Sequence, residues 1–142
     1  MSHANGHNQR IRILVVDDYE PWRRSVCSML KARPDLEVIG EACDGLEAIQ
    51  KAQTLKPDLV LLDIGLPRLN GLEAENQLRQ LVPSAKVLFL TQNTDADVVQ
   101  EALSDGVKGY VLKMDAEREL LSGIEAILGG ERFVSSGIKF SS

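Results

Sequence analysis

A short apolar run that ends in two adjacent carboxylates constrains the fold of this chain more than any other feature. The run occupies residues 11–16 (IRILVV), and Asp17 and Asp18 follow it directly. Because a run made mostly of aliphatic side chains is typical of a strand buried on both faces, we predict a strand of a parallel sheet here. Open α/β sheets bind ligands at the carboxyl ends of such strands, where this acid pair would lie.

The same pattern recurs at residues 59–62 (LVLL), which are followed by Asp63. If the two strands are neighbours in a parallel sheet, three carboxylates meet at one edge. Their mutual repulsion must then be relieved by a proton or a cation, and carboxylate oxygens suit Mg²⁺. A single aspartate after a strand is commonly an ordinary helix N-cap, but a doublet with a third acid favours a site.

Five apolar segments alternate with five helical patterns along the chain. The predicted strands are residues 11–16, 36–40, 58–62, 86–90 and 109–112. Short connections and apolar strands favour a doubly wound α/β fold of the flavodoxin-like class, with five parallel strands in the order 2-1-3-4-5 and five flanking helices. We predict a flexible leader at residues 1–10, one domain at 11–129, and a linker or C-terminal extension at 130–142.

Length, composition and charge exclude several classes of protein. The chain has 142 residues, 44% of them hydrophobic and 26% charged, which fits one ordinary globular domain. Its net charge of -5 argues against nucleic-acid binding by this chain alone, because such binding needs a basic face. With no long apolar run or signal peptide, we expect a cytoplasmic location and no membrane partner. Cys27 and Cys43 lie in apolar patterns without metal-binding spacing and are predicted to be buried thiols.

Two further polar residues follow the fourth and fifth predicted strands, namely Thr91 and Lys113. Alone, each has an ordinary explanation, since threonine caps helices and a lysine is commonly a solvated surface cation. Beside three acids, they complete a set that suits phosphoryl transfer to a carboxylate. A metal would neutralise charge, one acid would attack, and the hydroxyl and ammonium groups would hold phosphoryl oxygens.

These features together resemble the receiver domain of bacterial two-component response regulators (CheY-like). The resemblance covers about residues 10–130 and rests on five segments: VVDD at 15–18, LLDIGLP at 61–67, NGL at 70–72, LFLT at 88–91 and GVKGYVLK at 106–113. The segment GGERFV at 129–134 is similar to the junction after the receiver in regulators with a LuxR-type helix-turn-helix output. We therefore expect the receiver of such a transcription regulator, with a stand-alone receiver as the alternative.

The resemblance implies a role for each residue of the site. Asp63 would accept a phosphoryl group from a sensor histidine kinase, and Lys113 would bridge Asp63 and a phosphoryl oxygen. Thr91 would move toward the phosphoryl group, and Tyr110 would then turn inward to fill the space. Mg²⁺ would be bound by Asp17, Asp18, Asp63 and the backbone carbonyl of Gly65. Phosphorylation would alter the face formed by the fourth helix, fifth strand and fifth helix; this face, or that of the first and fifth helices, would mediate a homodimer.

Two positions depart from the common receiver pattern. Gln92 stands where a small residue usually follows the threonine, so we expect altered access of phosphodonor or water to the acceptor. Met114 stands where many receivers have proline, which leaves the geometry of the preceding peptide bond open.

Two other function classes remain as alternatives. An aspartyl-nucleophile phosphatase uses similar chemistry but needs a general acid two residues after the nucleophile, where this chain has Gly65. We therefore expect no enzyme activity beyond the chain's own phosphorylation and dephosphorylation. A phosphorylation-independent interaction module is favoured only by Gln92.

Overall fold

In the computed structural model, which describes residues 9–104 and 106–138, strands and helices alternate along the chain. The strands are β1 (Ile11–Val16), β2 (Leu36–Ala42), β3 (Leu59–Leu62), β4 (Lys86–Thr91), β5 (Gly109–Leu112) and β6 (Phe133–Val134). The helices are α1 (Glu20–Leu30), α2 (Gly45–Leu55), α3 (Gly71–Leu81), α4 (Ala96–Ser104) and α5 (Ala116–Leu128). A 3₁₀ turn, Lys113–Asp115, joins β5 to α5. Most of the predicted leader lies outside the described residues.

The strands form one parallel sheet in the order β2-β1-β3-β4-β5-β6. The predicted flavodoxin-like order of the first five strands is correct. The predicted count of five is wrong, because Phe133 and Val134 pair with Gly109 and Tyr110 as a sixth parallel strand. A strand of two residues shows no alternation that a sequence pattern could reveal.

Two layers of helices cover the two faces of the sheet. Along β1, Leu14 and Val16 face the layer of α2, α3 and α4, whereas Ile13 and Val15 face the layer of α1 and α5. This division follows from the alternation of side chains along a strand and explains why the central strands carry apolar residues on both faces. Among the described helices, none has the length and apolar character needed to cross a membrane.

Close packing at the carboxyl edge of the sheet positions the loop that follows β3. A Cβ atom on Gly71 would lie 2.1 Å from the backbone oxygen of Asp63, so only glycine allows α3 to begin this close to the strand end. The Gly71 amide donates to the Ile64 carbonyl at 2.8 Å, and the Asn70 side chain caps α3 by accepting from the Glu73 amide at 3.0 Å. The start of α3 therefore holds the Asp63 loop in place.

The two cysteines lie in different surroundings. Cys27 is half-buried on α1, Cys43 is exposed just after β2, and both are free thiols. The prediction of a buried thiol is therefore wrong for Cys43. The reason is that β2 ends at Ala42, so the next residue already belongs to the surface loop that leads into α2.

Candidate functional site

A cleft of about 610 Å³ opens at the carboxyl edge of the sheet. It is lined by Asp17, Asp18, Tyr19, Asp63, Gly65, Thr91, Gln92, Asn93 and Lys113. The ends of β1, β3, β4 and β5 thus bring together every predicted site residue except Tyr110, which lies inside the protein. This convergence confirms the spatial argument that parallel strands present their carboxyl ends at one edge.

Lys113 is held between two buried carboxylates in this cleft. Its Nζ lies 2.6 Å from Oδ2 of Asp17 and 3.3 Å from Oδ2 of Asp63. Asp17 is only 2% exposed and Asp63 only 6%. The same Nζ lies 5.5 Å from the centroid of the Trp22 ring, within the range of a cation–π contact. The 3₁₀ turn after β5 therefore places the ammonium group of Lys113 between the carboxyl ends of β1 and β3.

The remaining carboxylate oxygens are not equally satisfied. Oδ1 of Asp63 accepts from the amides of Ile64 at 2.7 Å and Gly65 at 3.4 Å. Oδ1 of Asp17 accepts from the Tyr19 amide at 2.9 Å. Oδ2 of Asp17 is buried and has its ion contact with Lys113 but no hydrogen bond of regular geometry among the described residues. This buried oxygen keeps unused capacity to bind a ligand.

The pKa shifts of Asp17 and Lys113 arise from their burial and from their contact with each other. Burial raises the pKa of Asp17, and the charge of Asp63 adds to this, despite the opposing effect of Lys113. Burial alone would lower the pKa of Lys113, but its close ion contact with Asp17 and the charge of Asp63 outweigh burial, so the net shift is upward. Lys113 therefore keeps its proton, and a further cation near Asp17 would favour its ionised form.

The acidic cluster fits a divalent metal ion. One carboxylate oxygen from each of Asp17, Asp18 and Asp63 lies within 4.8 Å of the others. Asp18 is exposed and Gly65 is open to the cleft, since a Cβ atom added there would have no neighbour within 4 Å. Hard oxygen donors, the poorly satisfied Oδ2 of Asp17 and the upward pKa shift all suit Mg²⁺.

Thr91 and Tyr110 lie on neighbouring strands behind the carboxylates and contact the same residue, Asn93. The hydroxyl of buried Thr91 accepts from the Asn93 amide at 3.3 Å, and the Tyr110 hydroxyl donates to the Asn93 carbonyl at 2.7 Å. Tyr110 is fully buried, and its ring centroid lies 6.1 Å from that of Phe89. The inward position that the resemblance implied only after phosphorylation is already present here. The ring packing and the hydroxyl hydrogen bond hold it there.

The sequence pattern of the response regulator receiver domain matches residues 13–125. The chain belongs to this family. Response regulator protein VraR from Staphylococcus aureus (strain NCTC 8325 / PS 47) is 39% identical to this receiver over 121 residues, which is 85% of this chain and 58% of VraR. The receiver thus spans little more than half the length of the curated relatives it matches.

Solved structures of similar proteins agree with this assignment. A two-component response regulator of the LuxR family from Aurantimonas sp. SI85-9A1 is 35% identical, with a TM-score of 0.86 over 92% of this receiver and 93% of that chain. The response regulator domain of Thermotoga maritima CheB is 34% identical, with a TM-score of 0.77 over 82% of this receiver and 95% of that chain. Both similarities extend the match from sequence to the whole fold.

The two departures from the common receiver pattern lie at the rim of the cleft. Gln92 is exposed and lines the opening. Met114 is 78% exposed, and no peptide bond within the described residues is cis, so the bond from Lys113 to Met114 is trans. The open question about that bond is therefore answered, whereas the effect of Gln92 stays a prediction.

Asn93 and Trp22 are among the residues near the site of this receiver that were not predicted from the sequence. Asn93 contributes backbone groups, which no side-chain pattern signals. Trp22 lies on the apolar face of α1, so periodicity assigns it to the core and says nothing of its contact with Lys113. Both contacts depend on which loops meet at the sheet edge.

Proposed function

We propose that this receiver accepts a phosphoryl group on Asp63 from a sensor histidine kinase in a Mg²⁺-dependent reaction. The observation that supports the proposal best is the position of Lys113, whose ammonium group bridges Asp17 and Asp63 at 2.6 and 3.3 Å. A carboxylate that is oriented by two backbone amides and lies beside a cation suits nucleophilic attack on phosphorus.

In the proposed step, an oxygen of Asp63 forms a bond to phosphorus while the bond from phosphorus to the histidine nitrogen breaks. The histidine keeps the electron pair of that bond and takes a proton from solvent. Lys113 and Thr91 hold phosphoryl oxygens by donating from the ammonium and hydroxyl groups. When bound, Mg²⁺ supplies positive charge that neutralises the carboxylates and the phosphoryl oxygens.

The switch role proposed for Thr91 and Tyr110 acts through Asn93. If Thr91 turns its hydroxyl toward a phosphoryl oxygen, its 3.3 Å bond from the Asn93 amide is lost. Tyr110 holds the carbonyl of the same residue at 2.7 Å. The loop between β4 and α4 is therefore the element whose position we propose to depend on phosphorylation.

Intact-mass spectrometry after incubation with acetyl phosphate and Mg²⁺ tests the acceptor. We expect the parent and an Asp97→Asn control, altered at an exposed acid on α4, to gain the mass of one phosphoryl group, and Asp63→Asn to gain none. If the parent gains no mass, the next variant to test is Gln92→Ala, which removes the side-chain amide from the cleft rim. If the Gln92→Ala variant also gains no mass, the result would contradict the proposal and favour a phosphorylation-independent interaction module.

A phosphatase acting on external substrates is not favoured by the site. Gly65 occupies the position of the general acid that such an enzyme requires, and glycine has no proton to transfer. We therefore propose that the chain is not an enzyme in the usual sense and acts only on its own acyl phosphate. Measurement of phosphate release from p-nitrophenyl phosphate should show no turnover.

The output and the assembly are also proposals. Since the receiver covers 58% of VraR and is similar to a LuxR-family regulator, we propose that it controls a DNA-binding output domain outside this chain. We further propose a homodimer that phosphorylation favours, and a cytoplasmic location beside the kinase. Sedimentation velocity with and without acetyl phosphate tests the dimer, because phosphorylation should raise the sedimentation coefficient.

A further inference from the structure

Arg23 of α1 links the acidic loop after β1 to strand β2. Its side chain is only 15% exposed. Nη1 donates to the backbone oxygen of Asp17 at 2.7 Å, and Nε pairs with Oε1 of Glu41 at 2.9 Å. The guanidinium group therefore joins three elements, with one of its contacts on a residue of the acidic cluster.

The contact of Arg23 completes the restraint of Asp17. The Asp17 amide donates to the Ala42 carbonyl at 3.0 Å, and the Asp17 side chain is held by the Tyr19 amide and by Lys113. The carbonyl oxygen of Asp17 belongs to the peptide group that leads into the next residue, Asp18. By holding that oxygen, Arg23 restrains the direction in which Asp18 leaves the strand.

The charge of Arg23 would by itself oppose a cation in the cleft. Glu41 removes most of this cost, because its carboxylate pairs directly with the guanidinium group. The pair of Arg23 and Glu41 can therefore orient the acidic loop while adding little net charge to it. A lone arginine would orient the loop and repel the metal at the same time.

We propose that Arg23, neutralised by Glu41, is a positioning residue for cation binding by Asp17 and Asp18. The inference rests on the proposed function, since it assigns a further residue to the same Mg²⁺ site. Partners that orient metal ligands without touching the metal commonly change metal affinity by about 10- to 100-fold when they are removed.

The neighbouring Arg24 provides a matched control. Its side chain is 76% exposed and pairs at 3.2 Å with Glu20 on the same helix, one turn away. An Arg24→Ala change thus removes the same charge and the same side chain from α1 without touching the acidic loop.

The first experiment is a Mg²⁺ titration of the parent, Arg23→Ala and Arg24→Ala, read by the fluorescence of Trp22 and repeated by calorimetry. Trp22 is the single tryptophan of the chain and lies beside Lys113. We expect Arg23→Ala to raise the Kd for Mg²⁺ about tenfold and Arg24→Ala to leave it unchanged. At saturating Mg²⁺, the phosphorylation rate of Arg23→Ala with acetyl phosphate should return close to that of the parent.

A second variant, Glu41→Gln, separates orientation from charge. It leaves Arg23 in place without its neutralising partner, so its Kd for Mg²⁺ should exceed that of the parent at low ionic strength, and the ratio of the two Kd values should narrow as salt is added. A merely structural role would change the thermal midpoint without this salt dependence. If Arg23→Ala does not fold, Arg23→Lys replaces it in the titration. Lysine keeps the charge but cannot make both contacts, to the Asp17 carbonyl and to Glu41, so it should raise the Kd for Mg²⁺ by a smaller factor.

Each outcome separates the inference from the proposed function. An unchanged Mg²⁺ affinity in Arg23→Ala, with a parent that binds Mg²⁺ and is phosphorylated, overturns only the role of Arg23. A parent that neither binds Mg²⁺ nor is phosphorylated overturns the proposed function, and the positioning role fails with it.

Discussion

Two clusters of buried or half-buried acids flank the 3₁₀ turn after β5, and the protein uses them in opposite ways. Lys113, at the start of the turn, points to the acids of the cleft, Asp17 and Asp63. Asp115, at its end, belongs to a second cluster that holds the C-terminal segment. We call this second cluster the C-terminal clasp; it consists of Asp115, Glu119, Ser135, Ser136 and Gly137.

The carboxylates of the clasp are satisfied by hydroxyl and amide donors and, at Oδ1 of Asp115, by the guanidinium group of Arg118 at 2.7 Å. The Ser135 hydroxyl lies 2.6 Å from Oδ2 of Asp115 and 2.9 Å from Oε1 of Glu119. Ser136 donates its hydroxyl to Oε2 of Glu119 at 2.6 Å, and the Gly137 amide donates to Oδ2 of Asp115 at 3.2 Å. The Ser135 bond lowers the pKa of Asp115, and the Ser136 bond lowers that of Glu119. The clasp thereby fastens the segment that forms β6.

The difference between the clusters shows how one residue type serves two purposes. In the clasp, hydrogen bonds stabilise the ionised carboxylates, so the folded state gains stability. In the cleft, burial raises the pKa of Asp17 and one of its oxygens lacks a regular hydrogen bond. The cleft therefore gives up stability in exchange for the capacity to bind a cation and a phosphoryl group.

The largest expected effect is on the rate of phosphoryl transfer, when Lys113 in the 3₁₀ turn between the two clusters is replaced. We expect Lys113→Ala to slow phosphorylation by acetyl phosphate about 100-fold, because no ammonium group would hold the phosphoryl oxygen. Lys108→Ala is the control, since that ammonium contacts the Gly130 carbonyl at 3.0 Å near the start of β5. The phosphorylation rate is measured by following the intact mass over time. Equal rates for Lys113→Ala and the parent would contradict the role given to Lys113.

A substitution in the clasp should have the opposite effect: it should lower the stability of the fold and leave the phosphorylation rate unchanged. We expect Ser135→Ala to lower the free energy of unfolding by about 1–3 kcal/mol, because the single buried hydroxyl donor between the two carboxylates is lost. Its phosphorylation rate should match that of the parent. Urea unfolding measures the first quantity, with Ser25→Ala, at an exposed hydroxyl of α1, as the control. A stability equal to that of the parent would show that the clasp is dispensable.

The clasp should also weaken in acid. A carboxyl group whose pKa is lowered by folding adds stability above its unfolded pKa, which is 3.8 for Asp115 and 4.5 for Glu119. That stability is lost as the pH falls through the folded pKa. The stability difference between the parent and Ser135→Ala should therefore stay constant near neutral pH and narrow below about pH 4. Urea unfolding at several pH values between 7 and 3 tests this, and a difference that does not change would refute it.

The smallest expected effect is a gain in the stability of the fold when a buried carboxylate of the cleft is replaced. A pKa raised by folding means that the ionised form of Asp17 costs stability above the unfolded pKa. Without Mg²⁺ at pH 7, Asp17→Asn should therefore raise the free energy of unfolding, on the order of 1 kcal/mol. Asp97→Asn, at an exposed acid, should show no such gain. A loss of stability in Asp17→Asn would mean that its ion pair with Lys113 outweighs its burial.

Local patterns in the sequence were sufficient to predict the first five strands and the acids of the cleft. Asp17, Asp18 and Asp63 directly follow apolar strands, and parallel pairing places such positions at one edge. Thr91 and Lys113 follow from the same rule. This part of the fold was predictable because the strands are mostly apolar, and parallel pairing then places their carboxyl ends at one edge of the sheet.

The sequence by itself therefore determined the succession of strands and helices and the residue types at the carboxyl edge of the sheet, since both depend on short local patterns. The strand order followed from the flavodoxin-like fold class that this succession indicates. Only the tertiary structure decided that Tyr110 lies inward, that Arg23 holds the Asp17 carbonyl, and that Ser135 joins Asp115 and Glu119. These contacts join residues 6 to 20 positions apart through backbone carbonyls, loop ends and single hydroxyl groups. Such donors and acceptors have no periodicity, and their partners are chosen only when packing brings the loops and the C-terminal segment together.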